Sequence, residues 1–261
     1  MPPKSTSRKP PTSSARTVVA AIPVRYASTR LPGKPLVSIA GVPMIERVYR
    51  RVAKARGIER VVVLTDDERI ARVVSDFGGD VEMTREDCVS GTDRIASVAD
   101  RWATDAILNV QGDEPLIDPS SLEALATHLR TNVADPVATL AAPAAPEELT
   151  NPDVVKVVTD LEGYALFFSR AAIPFARNPR CATPLRHIGV YGYQTPSLLE
   201  IAACEPTPLE RTEALEQLRM LENGFSIRVL RTPRAWPAVD TMDDLRRVEL
   251  LLRERPELAE P

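Results

Sequence analysis

Arg25, Arg30 and Lys34 fall within ten residues of one another in the segment RYASTRLPGKP, directly after the apolar run 17–22. Cations crowded this closely repel one another unless an anion neutralises them, and a loop of small and hydroxylated residues leaves backbone N–H groups available to such an anion. A phosphate site is one reading of the segment; a solvated surface loop is the other. Two carboxylates have the complementary property. Asp113, in QGDEP, follows the apolar run 106–110, and Asp240, in VDTMDDL, follows a strand-like segment. In an open α/β sheet ligands sit beyond the carboxyl ends of the strands. A carboxylate placed there is suited to Mg2+, which one or two acidic side chains hold together with substrate phosphates. Each aspartate also has a plain alternative, Asp113 as the cap of a helix starting near Pro119 and Asp240 as the cap of the last helix. A cationic loop with paired carboxylates suits attack on phosphorus rather than on a carbonyl.

Other chemistries lack their signatures. The chain contains no GxxxxGK[ST], no GxGxxG after a strand, and no serine or cysteine in a nucleophile elbow, which sets aside P-loop NTPases, dinucleotide oxidoreductases and elbow-type hydrolases. A formal net charge of −3 gives no general attraction to nucleic acid or anionic membrane, so an anion site must be a local cluster. No apolar stretch approaches the roughly 20 residues needed to span a bilayer. Cys88, Cys181 and Cys204 lie far apart with no CxxC pair, which favours reduced thiols in a cytoplasm over a zinc site or a disulfide framework. Residues 1–16 are basic and rich in serine and proline, without the apolar core of a signal peptide, and read as a disordered arm before one domain spanning 17–261.

The elements that must position these groups alternate along the chain. Strand-length apolar runs at 17–22, 60–65, 81–83 and 106–110 are separated by helical patterns: Met44 to Ala55 ending at Gly57, a helix capped by Asp66-Asp67 and stopping after Phe77, and one over about 93–102. Strands apolar on both faces imply an α/β fold, a mostly parallel twisted sheet flanked by helices. Further on, 136–142 reads as a strand, and 154–159 with 164–169 as an antiparallel hairpin excursion. The stretch 173–186 has no periodicity and reads as a mobile flap. A strand at 187–193, helices at 197–204 and 209–222, a strand at 225–230 and a helix at 243–253 complete the chain.

The run RYASTRLPGKPL resembles the nucleotide-binding loop of the CMP-KDO synthetases (3-deoxy-manno-octulosonate cytidylyltransferases). SGTDR, VQGDEP, FSRAAIP, RHIGVYGY, LERTEALEQLR and VDTMDDL resemble segments of that family in the same order, from about residue 18 to 245. The resemblance implies a nucleotide-diphospho-sugar transferase-like fold. It also implies transfer of CMP from CTP to the small acid KDO, with release of pyrophosphate, for lipopolysaccharide. By position, Arg25, Arg30 and Lys34 then hold the triphosphate, Asp113 and Asp240 bind Mg2+, and Ser90 and Gly91 lie beside the cytosine. Arg94 points at the acid group of the acceptor, with Asp93 standing where the family has glutamate. Gln111, Arg170, Arg177, His187 and Tyr191 contact the acceptor, and Glu216 and Gln217 bond its hydroxyls. A homodimer built partly from the region 150–194 is also implied. Read without the resemblance, Thr92 opens a helix, His187 is a satisfied structural histidine, and 209–222 is an amphipathic helix. Two alternatives differ in function: CMP activation of another acid such as phosphonoformate, as in phosphonate antibiotic biosynthesis, and a non-catalytic nucleotide-binding protein. All catalytic readings require Lys34, Asp113 and Asp240 to lie within reach of one nucleotide.

Overall fold

A computed structural model of the chain describes residues 16–27, 31–178 and 184–260. The first apolar run becomes β1 (Val18–Pro23), buried along its whole length. Its side chains alternate between two cores, Val18, Ala20 and Ile22 entering one and Val19 and Ala21 the other, as a two-residue period requires in a sheet covered on both faces. A short ribbon, β2 (Ser38–Ile39) and β3 (Val42–Pro43), leads into α1 (Met44–Ala53), β4 (Arg60–Thr65), α2 (Glu68–Asp76), β5 (Val81–Met83), α3 (Gly91–Ala99), β6 (Ala106–Asn109) and α4 (Pro119–Thr131). Then come β7 (Val137–Pro143), β8 (Lys156–Thr159), β9 (Ala165–Ser169), β10 (Leu185–Gln194), α5 (Thr195–Ala202), α6 (Pro208–Glu213), α7 (Gln217–Glu222), β11 (Ile227–Arg231) and α8 (Met242–Glu254).

Among the described residues the main sheet runs β11-β7-β10-β6-β1-β4-β5. Neighbours are parallel except at β10, which is antiparallel to both β6 and β7. The β8–β9 hairpin branches from the sheet through β8 and β10. This is the mostly parallel sheet with a hairpin excursion that the sequence pattern implies. From β1 the chain moves outward to β4 and β5, then returns to the opposite side of β1 as β6. The loops that follow β1 and β6 therefore diverge and leave a crevice at their carboxyl ends.

Ile45 and Val48 of α1, Ile70 of α2 and Leu122 and Leu125 of α4 cover one face; Ile95 and Val98 of α3, Leu198 of α5 and Leu218 of α7 cover the other. A third cluster, including Ile39, Met44, Leu116, Val239, Leu245 and Val248, packs α8 against the loop after β6. Burying one such leucine, isoleucine or valine contributes about 1.5–3 kcal/mol. This third cluster is what brings the Asp240 segment to the crevice from more than a hundred residues away.

Four expectations change. Asp118, not Asp113, caps α4, its side chain accepting from the Ser120 N–H, and Thr241, not Asp240, caps α8 in a capping box with Asp244. Helix α3 starts at Gly91, two residues earlier than its apolar pattern indicates. Ser90 accepts from the Asp93 N–H while the Asp93 carboxylate accepts from the Ser90 N–H, so Ser90 and not Thr92 is the cap. The helix expected over 209–222 is two helices, broken where Ala214 adopts φ 51°. The Arg170 side chain donates to the carbonyls of Glu213 and Ala214, so a tertiary contact ends α6 where propensity alone favours continuation. Ala214→Gly should relieve the left-handed strain and stabilise the fold by about 0.5–1 kcal/mol, read from urea unfolding midpoints. The flap reading of 173–186 falls partly outside the described residues, as do Cys181, Arg30 and residues 1–15 of the arm. The segment 171–178 carries no helix or strand. No helix among the described residues is long and apolar enough to cross a membrane.

Candidate active site

Lys34 opens a single 3-10 turn, Lys34–Leu36, immediately after Gly33. Gly33 has φ 66°, and a Cβ there would lie 3.2 Å from the Tyr26 ring, so the turn requires glycine. Its N–H donates to the Tyr26 carbonyl and closes the loop. The Lys34 ammonium then reaches across the crevice, with Nζ 2.6 Å from Asp113 Oδ2 and 2.7 Å from Asp240 Oδ1. Burial alone would lower the Lys34 pKa, but Asp113 and Asp240 together hold it above the ordinary lysine value. Asp113 is presented by a turn in which the Glu114 N–H donates to the Gln111 carbonyl. Gly112 passes so near Val24 that an added Cβ would sit 2.2 Å from Val24 Cγ1. The Val239 N–H donates to the Asp113 carbonyl at 2.9 Å, which joins the two aspartate segments into one hydrogen-bonded unit.

Both carboxylates share one cation, and hard oxygen donors converging on a single positive centre are the donor set magnesium takes. Among the described residues no third His, Cys, Asp or Glu joins them to complete a protein cage. Substrate phosphates and water would supply the remaining ligands, so the pair fits a metal carried in with a nucleotide. Burial, with Asp113 next, pushes the neighbouring Glu114 up to about 8, so at neutral pH it adds little negative charge.

These groups face a cavity of about 620 Å3 whose lining includes Arg25, Lys34, Ser90, Gly91, Arg94, Gln111, Asp113 and Asp240, together with Pro35, Met44, Cys88 and Val89. The last four were not foreseen; Cys88 and Val89 lie in a polar loop without periodicity, which gave no signal. Ser90 caps α3 and donates from Oγ to Glu216 Oε1 at 3.2 Å, so Glu216 stands behind the cavity wall. Arg94 lines the cavity, yet it is 4 % exposed and bound to Asp66 Oδ2 at 2.7 Å and to Thr84 Oγ1. Of the Asp66-Asp67 pair only Asp67 caps α2, which leaves Asp66 to pair with Arg94.

The profile of the family described as Cytidylyltransferase matches residues 19–228. A 3-deoxy-manno-octulosonate cytidylyltransferase from Syntrophotalea carbinolica is 53 % identical over 246 residues, covering 90 % of this chain and 98 % of that protein. The enzyme of the same name from Geobacter sulfurreducens is 48 % identical, covering 88 % and 97 %. The chain belongs to the 3-deoxy-manno-octulosonate cytidylyltransferase family. A solved structure of CMP:2-keto-3-deoxy-manno-octonic acid synthetase complexed with CTP superposes with a TM-score of 0.88 at 42 % identity, covering 91 % of this chain and 99 % of that one. A cytidylyltransferase from Leptospira borgpetersenii shares the fold at 16 % identity, with a TM-score of 0.59 and coverage of 94 % and 97 %.

The residues that resemblance to the cytidylyltransferase family assigns to the acceptor are less closely gathered. Gln111 lines the cavity and donates to Asn109 Oδ1. Arg170, Arg177, His187, Tyr191, Glu216 and Gln217 are not part of its lining. Arg170 is committed to backbone, donating to the carbonyls of Glu213, Pro152 and Ala214. Arg177 is exposed in the segment after β9, and Gln217 is buried at the start of α7. Tyr191 is buried with its ring stacked on Tyr193 and tilted against His187.

Burial, with Arg186 second, lowers the His187 pKa to about 3. The unfolded chain takes up that proton near pH 6.5, so the stability linked to His187 is complete above pH 6.5 and is lost as pH falls from 6.5 toward 3. Between pH 7.5 and 5.5 the native chain should lose about 1 kcal/mol more than a His187→Gln variant in urea titrations.

Proposed function

We propose that the chain is a magnesium-dependent cytidylyltransferase that joins CMP from CTP to 3-deoxy-manno-octulosonate and releases pyrophosphate. The observation that carries this reading is the convergence of Lys34, Asp113 and Asp240 in a cavity that Arg25, Ser90 and Gly91 also line. It occurs in a chain 53 % and 48 % identical to relatives named for that reaction.

Two unit charges about 4 Å apart interact by roughly 4 kcal/mol at an effective dielectric near 20. An acidic acceptor therefore approaches the triphosphate only where cations offset the repulsion. Arg25 and Lys34, with Arg30, hold the phosphates, and Arg94, which lines the cavity, supplies positive charge on the acceptor side; Arg170 and Arg177 stand outside that lining. Ser90 and Gly91 place the base. Magnesium held by Asp113 and Asp240 supplies charge neutralisation at the phosphates when bound. The acceptor's hydroxyl oxygen bonds the α-phosphorus in line as the bond to the bridging oxygen breaks. The electron pair leaves with pyrophosphate and the hydroxyl proton passes to solvent.

The purified chain with Mg-CTP should release pyrophosphate in the presence of 3-deoxy-manno-octulosonate. Turnover with phosphonoformate alone would overturn the acceptor assignment, and turnover with neither acid would favour a binding role. The reading extends to a cytoplasmic homodimer whose interface includes 150–194, where Leu161, Leu166 and Phe175 are exposed apolar groups for a partner copy to cover. A monomer by sedimentation at micromolar concentration would contradict the dimer.

A further inference from the structure

Thr139 is a hydroxyl in an otherwise apolar buried strand, with no exposed surface. Its Oγ1 lies 2.9 Å from His187 Nε2, 2.7 Å from the Val190 carbonyl and 3.4 Å from the Ile188 carbonyl. These carbonyls lie where β10 slips its register against β7 between Ile188 and Tyr191. A threonine hydroxyl has one proton. A carbonyl oxygen can only accept, so at 2.7 Å the proton belongs to Val190; assigning it to the ring would leave two oxygens in buried contact with no hydrogen between them. The Thr139 oxygen is then left to accept, and among the described residues the group placed to donate to it is an Nε2–H. The proton of the neutral imidazole is thereby fixed on Nε2, and Nδ1 carries a bare lone pair.

Among the described residues no group is hydrogen-bonded to that lone pair. Among the described residues the ring meets two other rings, Phe168 edge-on at 5.0 Å and Tyr191 at 5.3 Å, and no carboxylate forms an ion pair with it. His187 as a whole residue keeps 9 % of its surface exposed and stands outside the cavity lining. Strand β10 also passes the cavity wall: a Cβ on Gly189 would lie 3.9 Å from Gln111 Cγ, and Gln111 lines the cavity.

We propose that Thr139 is a positioning residue that locks His187 as the Nε2–H tautomer, so that Nδ1 accepts a hydrogen bond from a hydroxyl of the acceptor. The ligand half of this rests on the proposed acceptor; the tautomer half does not. A neutral ring with a bare lone pair cannot pair with a carboxylate. It takes an alcohol O–H, which a polyhydroxylated sugar acid carries and phosphonoformate lacks. The lowered His187 pKa agrees with a ring that stays neutral through the working pH range.

The chain has two histidines, so two-bond 15N–1H spectra of 15N-histidine-labelled protein, with His128→Gln for assignment, resolve the ring directly. The native spectrum should show a protonated Nε2 and an unprotonated Nδ1. Thr139→Val should shift the ring toward the other tautomer and raise KM for the acceptor about tenfold, as expected for one lost hydrogen bond, with KM for CTP changed less than about twofold. Thr139→Ser should restore both. A native ring protonated on Nδ1, or a Thr139→Val ring indistinguishable from native, would overturn the lock. A native tautomer as expected with acceptor KM unmoved in Thr139→Val would overturn the positioning role. The native and Thr139→Ser spectra decide the lock even where the valine variant fails to fold. Absence of turnover by the native chain would reject the proposed acceptor while leaving the spectra to judge the lock.

Discussion

Asp113→Asn should lower pyrophosphate release from Mg-CTP by roughly a thousandfold or more while the protein remains folded, because it removes an anionic oxygen from the point where phosphate charge must be neutralised. The fold should tolerate it. The side chain caps no helix, and its role in the surrounding loop is carried by its backbone carbonyl, which the substitution keeps. Asp118, five residues on, gives the converse control. It caps α4 and does not line the cavity, so Asp118→Ala should cost about 1 kcal/mol in urea unfolding with turnover near native. Equal loss of activity in both variants, or an active Asp113→Asn enzyme, would remove Asp113 from the chemistry.

The contrast between these two aspartates shows where sequence reasoning reached and where it stopped. The parallel strands were legible because Val18–Ile22, Arg60–Thr65 and Ala106–Asn109 are apolar on both faces, a pattern that only a covered sheet satisfies. The sequence reading offers Asp113 as a cap of α4, whereas Asp118, directly before the proline at the first helical position, takes that place. Asp113 lies six residues before Pro119, too far to cap it, and is instead held at the crevice by the turn that Gly112 makes against Val24. At α8 the reading offers Asp240, and the cap is Thr241, with Asp244 reaching back to it in a capping box. The break at Ala214 was hidden for another reason. Nothing local to 209–222 opposes a helix, and the contact that ends it comes from Arg170 in a different element. Arg94 illustrates a further limit: its partner Asp66 is 28 residues away, and no local pattern reports that pairing. Thr139 gave no signal of its own within the strand read at 136–142, because its partners His187 and Val190 lie about 50 residues away.

Lys34→Met should abolish turnover and, at the same time, tighten Mn2+ binding in the absence of nucleotide by about tenfold or more, measured by the loss of free-ion EPR signal. In the native chain the Lys34 ammonium stands between Asp113 and Asp240 at 2.6 and 2.7 Å, in the position a shared cation would take. Any divalent ion must displace it and forfeit two close ion pairs that are only partly solvated. Replacing the ammonium with a methyl leaves two carboxylates facing each other, a repulsion of roughly 4 kcal/mol at 4 Å and an effective dielectric near 20, which a divalent ion relieves. Nucleotide should have the same effect on the native protein by a different route: phosphates offer Lys34 a new partner, so CTP should tighten Mn2+ binding to the native chain and do so far less in Lys34→Met. Thermal unfolding gives a second readout, since Mn2+ alone should raise the Tm of Lys34→Met more than that of the native chain. If the variant binds Mn2+ no more tightly than the native protein, then Lys34 does not hold the metal's place, and the two aspartates are organised by the lysine for phosphate binding alone.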